Sequence, residues 1–116
     1  MPHIIVEYSE HLSLDIPNLL SDLHNDLAAR DTIDMGAIKT RAHAAKDCVV
    51  GCEATADSFI HIVLKLLPGR DDDLKAQMSK GLAEVAQKHI KKHMVGKLPC
   101  ALTVETITLE AETYIK

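Results

Sequence analysis

"SFIHIVLKLL", residues 58–67, decides the fold. It is dense in β-branched, aromatic and leucine residues, and the "PGR" at 68–70 breaks it, so it reads as a strand with a sharp stop. A second stretch echoes it. "HIIVEYSE" (3–10) opens one half of the chain, and "HIVLKLLP" (61–68) lies near the start of the other. "HIIVEY" (3–8) therefore also reads as a strand.

The elements between and around these strands follow. "KDCVVGCEATAD" (46–57) is loop-like. Before it, "AIKTRAHAA" (37–45) follows Gly36 and reads as a strand whose alternation puts Lys39, Arg41 and His43 on one face. Further upstream, Ile16, Leu19, Leu20, Leu23 and Leu27 recur at helical spacing. Asp15 can cap this helix, and Pro17 sits in its first turn, where a missing N–H costs nothing. The helix is expected over about 16–30. Downstream, a second helix begins near Asp71. Asp71, Asp72 and Asp73 crowd its start and Lys88, His89, Lys91, Lys92 and His93 its end, the polarity that the helix dipole favours. Leu74, Met78, Leu82, Val85 and His89 form the expected buried stripe. Gly96 and Pro99 end the helix, and "ALTVETITLE" (101–110) is a final strand.

The order is β-α-β-β-α-β. Strands joined through a helix are normally parallel, with a right-handed crossover. The expected fold is α/β (α+β): two β-α-β repeats forming a four-stranded mixed sheet, with both helices on one face. The other face has no helix to cover it and carries apolar residues from "FIHIVLKLL". An apolar sheet face left bare usually finds a partner surface, so a homo-oligomer is expected.

Composition narrows the function classes. At 116 residues the chain is expected to be a single domain, 1–116. The net charge of −4 argues against nucleic acid and against docking on an anionic membrane. Glu7 and Glu10 interrupt the first apolar run, so it is neither a signal peptide nor a membrane span, and the cytoplasm is the expected location. The odd count of cysteines (Cys48, Cys52, Cys100) reads as reduced thiols. The C-x3-C spacing of Cys48 and Cys52 fits neither a redox pair nor a zinc site well.

Pro2 is the most pointed candidate for chemistry. If Met1 is removed, the proline nitrogen becomes a secondary α-amine. Such an amine titrates at about 7.7–8.0, far below lysine. Burial lowers that further, and a neutral amine near pH 7 is a competent general base. The plain alternative is a solvated terminal residue. Lys39, Arg41 and Arg70 could bind carboxylates, the arginines through bidentate forks. The alternative is surface ion pairing, with Arg70 balancing the three aspartates. His89 and His93 stand four apart, a zinc-compatible spacing, but no third ligand is evident and a dipole-compatible helix end explains them better. His3, His43 and His61 lie in strands and could line a pocket. No nucleophile elbow, P-loop or dinucleotide-binding glycine motif occurs.

"MPHIIVEYSE", "IKTRAH" and "FIHIVLKLLPGR", in this order and at these intervals, resemble the 5-carboxymethyl-2-hydroxymuconate isomerases of the tautomerase superfamily. The likeness spans essentially the whole chain. It implies a tautomerase-like fold, a homotrimer, and neither metal nor organic cofactor. It also implies a small polycarboxylate dienol as substrate, with no nucleic acid or membrane partner. Pro2 is then the base, and Arg70, Lys39 and Arg41 hold carboxylates. The chain departs from the pattern at Lys39, where relatives tend to carry arginine, and in its few aromatics: Tyr8, Phe59 and Tyr114. Two other readings share the element order. One is a non-catalytic small-molecule-binding or regulatory module with a ferredoxin-like split-βαβ fold. The other is a structural homo-oligomer with a degenerate site.

Overall fold

The structure is a computed structural model that describes residues 1–52, 56–94 and 97–116. Its elements run β1 (His3–Ser9), α1 (Ile16–Ala28), a 3-10 turn (Met35–Ala37), β2 (Lys39–Ala45), β3 (Ser58–Leu66), α2 (Asp72–His93) and β4 (Cys100–Thr108). The sheet order is β2-β1-β3-β4. Within each half the strands are parallel, β1 with β2 and β3 with β4. The halves join through β1 and β3, which are antiparallel, with Ile5 opposite Val63 near the middle. This is the expected mixed four-stranded sheet.

Local chemistry sets the helix starts. The Asp15 carboxylate accepts from the Asn18 N–H at 3.2 Å, with a proline at the start of α1. Asp71 does the same for the Leu74 N–H at 2.8 Å, so it is the cap of α2 rather than part of its first turn. Each cap satisfies a backbone donor that the helix leaves unpaired. α1 ends at Ala28, two residues short of the expected boundary. The segment at 37–38 is a turn and its exit rather than strand, because the Asp34 side chain accepts from the Gly36 N–H at 3.0 Å and caps it. Gly96, expected to end α2, lies outside the described residues; the last helical residue is His93.

Alternate strand residues form the core. Ile4 and Val6 of β1 and Ile60, Ile62, Leu64 and Leu66 of β3 face the helices and are fully buried. They meet Leu19, Leu23 and Leu27 of α1 and Met78 and Leu82 of α2. The buried stripe of α2 differs from the expected one. Its core residues are Met78, Gly81, Leu82, Ala86 and Ile90, while Leu74, Val85 and His89 stand at its edge. The reason is α1, which packs along that side: a Cβ on Gly81 would overlap the Arg30 guanidinium and approach Asp26 Oδ2 to 2.7 Å. A glycine that would weaken an ordinary helix here admits a neighbouring one.

The face away from the helices is mixed rather than apolar. The period of two sends Ile60, Ile62, Leu64 and Leu66 inward, so only Phe59 and Val63 of β3 bring apolar side chains to it, beside His61 and Lys65. Ile5 of β1 and Ala101 and Ile107 of β4 add to its apolar part. Among the described residues no helix is long and apolar enough to cross a membrane.

Candidate active site

Pro2 is buried at the mouth of β1. Its carbonyl accepts the Lys39 N–H at 3.0 Å, which pins the N-terminus to the edge strand β2. His3 follows on the uncovered face, with Lys39 opposite it on β2 and Lys65 opposite it on β3. Arg41, two residues along β2, reaches back and places Nη1 3.1 Å from His3 Nδ1. Guanidinium nitrogens only donate, so Nδ1 is the acceptor and the ring proton of the neutral imidazole sits on Nε2. That N–H donates to Tyr114 Oη at 2.7 Å.

The electrostatics match this tautomer. Burial pushes the His3 pKa below its ordinary 6.5, and Arg41, Lys39, the N-terminal amine and Lys65 push it the same way. A second proton on the ring would place a cation among cations. The Met1 amine lies below its ordinary 8.0 for similar reasons: burial first, then Lys116, Arg70 and Lys39. The N-terminus therefore sits in a cationic neighbourhood to which three distant parts of the chain contribute.

Arg70 does not balance the three aspartates. Its Nη2 donates to the Thr32 carbonyl at 3.0 Å and its Nε to Thr32 Oγ1 at 3.3 Å, so it ties the β3–α2 loop to the α1–β2 loop. Its charge nonetheless reaches the N-terminal amine. The structure thus gathers Pro2, Lys39, Arg41 and Arg70 at one end of the sheet. Sequence reasoning gave His3 no more than a place in the lining of a pocket, named Tyr114 only among the few aromatics, and assigned nothing to Lys116. Tyr114 is 111 residues from His3, and no pattern in the sequence signals that contact.

The zinc-compatible histidines go elsewhere. His89 Nε2 lies 2.7 Å from the Asp22 carboxylate of α1, and its ring stacks on His93 with centroids 6.2 Å apart. They line a cavity of about 660 Å³ between the helices, together with Asn18, Asn25, Lys88 and Lys92. Pro2 is not among the residues of that cavity.

Two parallel β-α-β units joined through antiparallel central strands, with two helices on one face, form a tautomerase fold. The fold likeness extends to a fused 4-OT protein solved as a symmetric trimer (TM-score 0.70, 16% identity, 97% of this chain and 91% of that one). More specifically, residues 2–116 match the model of the 5-carboxymethyl-2-hydroxymuconate isomerase family, and the chain belongs to that family. The 5-carboxymethyl-2-hydroxymuconate Delta-isomerase of Escherichia coli is 27% identical over 100 residues, covering 84% of this chain and 79% of that protein. The crystal structure of a 5-carboxymethyl-2-hydroxymuconate isomerase from Deinococcus radiodurans R1 superposes with a TM-score of 0.88 at 25% identity, over 99% of this chain and 87% of that one. The protein is an isomerase of the tautomerase kind.

Proposed function

We propose that, once Met1 is removed, the secondary amine of Pro2 moves the double bonds of 5-carboxymethyl-2-hydroxymuconate or a closely similar carboxylated dienol. The carrying observation is the setting of the N-terminus. The amine there is already lowered by burial and by Lys116, Arg70 and Lys39. With Met1 in place the Pro2 nitrogen is an amide and carries no basic lone pair. Without Met1, the free amine begins at the buried Pro2 ring, beside Lys39. Burial and neighbouring cations both favour the neutral form, which is the form that accepts a proton.

The reaction then needs one group used twice. Neutral Pro2 takes the proton of the 2-hydroxyl group. The electron pair left on oxygen forms the C2 carbonyl, the C2–C3 double bond moves to C3–C4, and the C4–C5 pair takes a proton at C5 from the Pro2 ammonium. Protons and electrons balance with no co-reactant. The base of the first step is the acid of the second. Lys39, Arg41 and Arg70 hold the carboxylates and stabilise the negative charge that spreads along the diene. Lys39 supplies a point charge, and Arg41 a fork with donors left over after His3.

The working unit is a homotrimer in this reading. Lys39 and Arg41 stand on the edge strand β2, and the uncovered sheet face leaves Ile5, Phe59 and Val63 half-exposed. A threefold arrangement like that of the fused 4-OT relative would cover this face and close each site with a neighbour.

An ultraviolet assay with 5-carboxymethyl-2-hydroxymuconate tests the reaction and the base together. The untagged parent is expected to convert the dienol rapidly to the conjugated ketone, and Pro2→Ala to lose at least about a hundredfold in kcat/KM. Binding of the dienol without turnover by the parent would favour the binding-module reading instead.

A further inference from the structure

Beyond Thr108 the chain folds back toward the N-terminus. The Leu109 N–H donates to the Leu66 carbonyl at 2.7 Å, continuing the ladder by one bond. The Thr113 and Tyr114 N–H groups then both donate to the Glu110 carbonyl, at 3.2 and 3.0 Å, and close a turn. β4 is an outer strand and β1 lies beyond β3. The turn must therefore carry Tyr114 back across β3 to reach His3. The contact is specific: a hydrogen bond of 2.7 Å and an edge-on meeting of the two rings at 6.0 Å. Lys116 follows close enough to act on the N-terminal amine.

We propose that Tyr114 is a positioning residue of this site: by accepting a hydrogen bond from the His3 Nε2–H it anchors the imidazole with Nδ1 turned to Arg41, and Nδ1 in turn orients the Arg41 guanidinium toward the substrate carboxylate. This rests on the carboxylate-binding role given to Arg41 above. A neutral imidazole has one N–H and two choices of nitrogen. If the proton sat on Nδ1, it would face a guanidinium N–H, donor against donor. The Arg41 N–H facing Nδ1 fixes that choice, and the Tyr114 hydroxyl, which can donate or accept, then accepts from the Nε2–H and anchors the ring with Nδ1 on Arg41. Arg41 commits Nη1 to His3. Held there, the guanidinium keeps its remaining donors in a fixed plane, the condition for two-point binding of a carboxylate. The C-terminal tail thus acts on the binding group through one imidazole, without itself touching substrate.

The test is Tyr114→Phe, which keeps the ring and removes only the acceptor, measured alone and combined with Arg41→Ala. His3 of the parent is expected to show the Nε2–H tautomer by nitrogen NMR of the imidazole, and Tyr114→Phe to keep that tautomer, which Arg41 sets, while the Nε2–H proton resonance shifts upfield as its hydrogen bond is lost. KM for 5-carboxymethyl-2-hydroxymuconate should rise by about fivefold, the scale of one neutral hydrogen bond, with kcat kept within about twofold. In the Arg41→Ala background the same change should add almost nothing to KM, because the group it positions is gone. An Nδ1–H tautomer in the parent, an unchanged KM in Tyr114→Phe, or a full effect without Arg41 would each overturn the proposal. A parent that does not turn over the dienol would instead remove the reading of the site on which the proposal rests.

Discussion

The two β-α-β halves share a skeleton, and each carries a histidine on the uncovered face of its inner strand. In the first, His3 on β1 reaches two residues along its parallel neighbour to Arg41. In the second, His61 on β3 reaches two residues along its neighbour to Glu105, at 2.7 Å, with Thr103 Oγ1 at 2.6 Å from its other nitrogen. One histidine is thus paired with a cation and the other with an anion. The cation makes His3 an acceptor. The carboxylate makes His61 a donor through Nε2. In the proposed reading the first half also supplies the buried Pro2 as an amine, whereas the first strand of the second half starts at Ser58. In that reading the repeated scaffold carries chemistry in one copy and packing in the other, and the partner two residues along the edge strand marks which is which.

The core should erase the difference. Ile4 and Ile62 are both fully exclusive to the interior under the same helices. Ile4→Ala and Ile62→Ala should each cost about 2–5 kcal/mol in denaturant unfolding. A large gap between them would mean that the halves do not share one core. The uncovered face should restore the difference. Arg41→Ala should raise KM by about tenfold to a hundredfold, the scale of a hydrogen bond to a charged group. Glu105→Gln should leave KM within about twofold and change stability by less than about 1 kcal/mol, since the Glu105 side chain is 51% exposed. Equal effects on KM would break the assignment of the site to the first half.

A smaller effect should appear in the pH dependence of stability. His3 gives up its proton below 6.5 when folded but near 6.5 when unfolded. Between those two values the unfolded chain binds more protons, so stability rises with pH across that window. The contribution is complete above 6.5 and is lost as pH falls through the folded value. Thermal unfolding from pH 7 downward should show a decline that His3→Asn reduces. A decline unchanged in His3→Asn would show that some other group causes it.

Much of this was legible in the sequence because it is local. Asp15 and Asp71 announce the helix starts, and the β-branched runs at 3–8 and 58–67 announce the two central strands. The period of two correctly put Lys39, Arg41 and His43 on one face. It also sends most of "FIHIVLKLL" inward, which the run of apolar letters hid. Helical periodicity gave the turns of α2 but misjudged its inner edge, because the close approach of α1 at Gly81 rotates the buried side toward Ala86 and Ile90. What could not be read is long-range. Arg70 on Thr32 and Tyr114 on His3 depend on two loops and a tail meeting in space. Neither pair leaves a spacing in the chain.

The most direct measurement compares two forms of the protein, one processed to begin at Pro2 and one that keeps a residue before it, each verified by intact mass and assayed with 5-carboxymethyl-2-hydroxymuconate. Turnover should accompany the free proline amine and be lost, by at least about a hundredfold, when that nitrogen is an amide. Equal turnover by the two forms would contradict a proline base and would move the search for the proton-transfer group to other residues of the site.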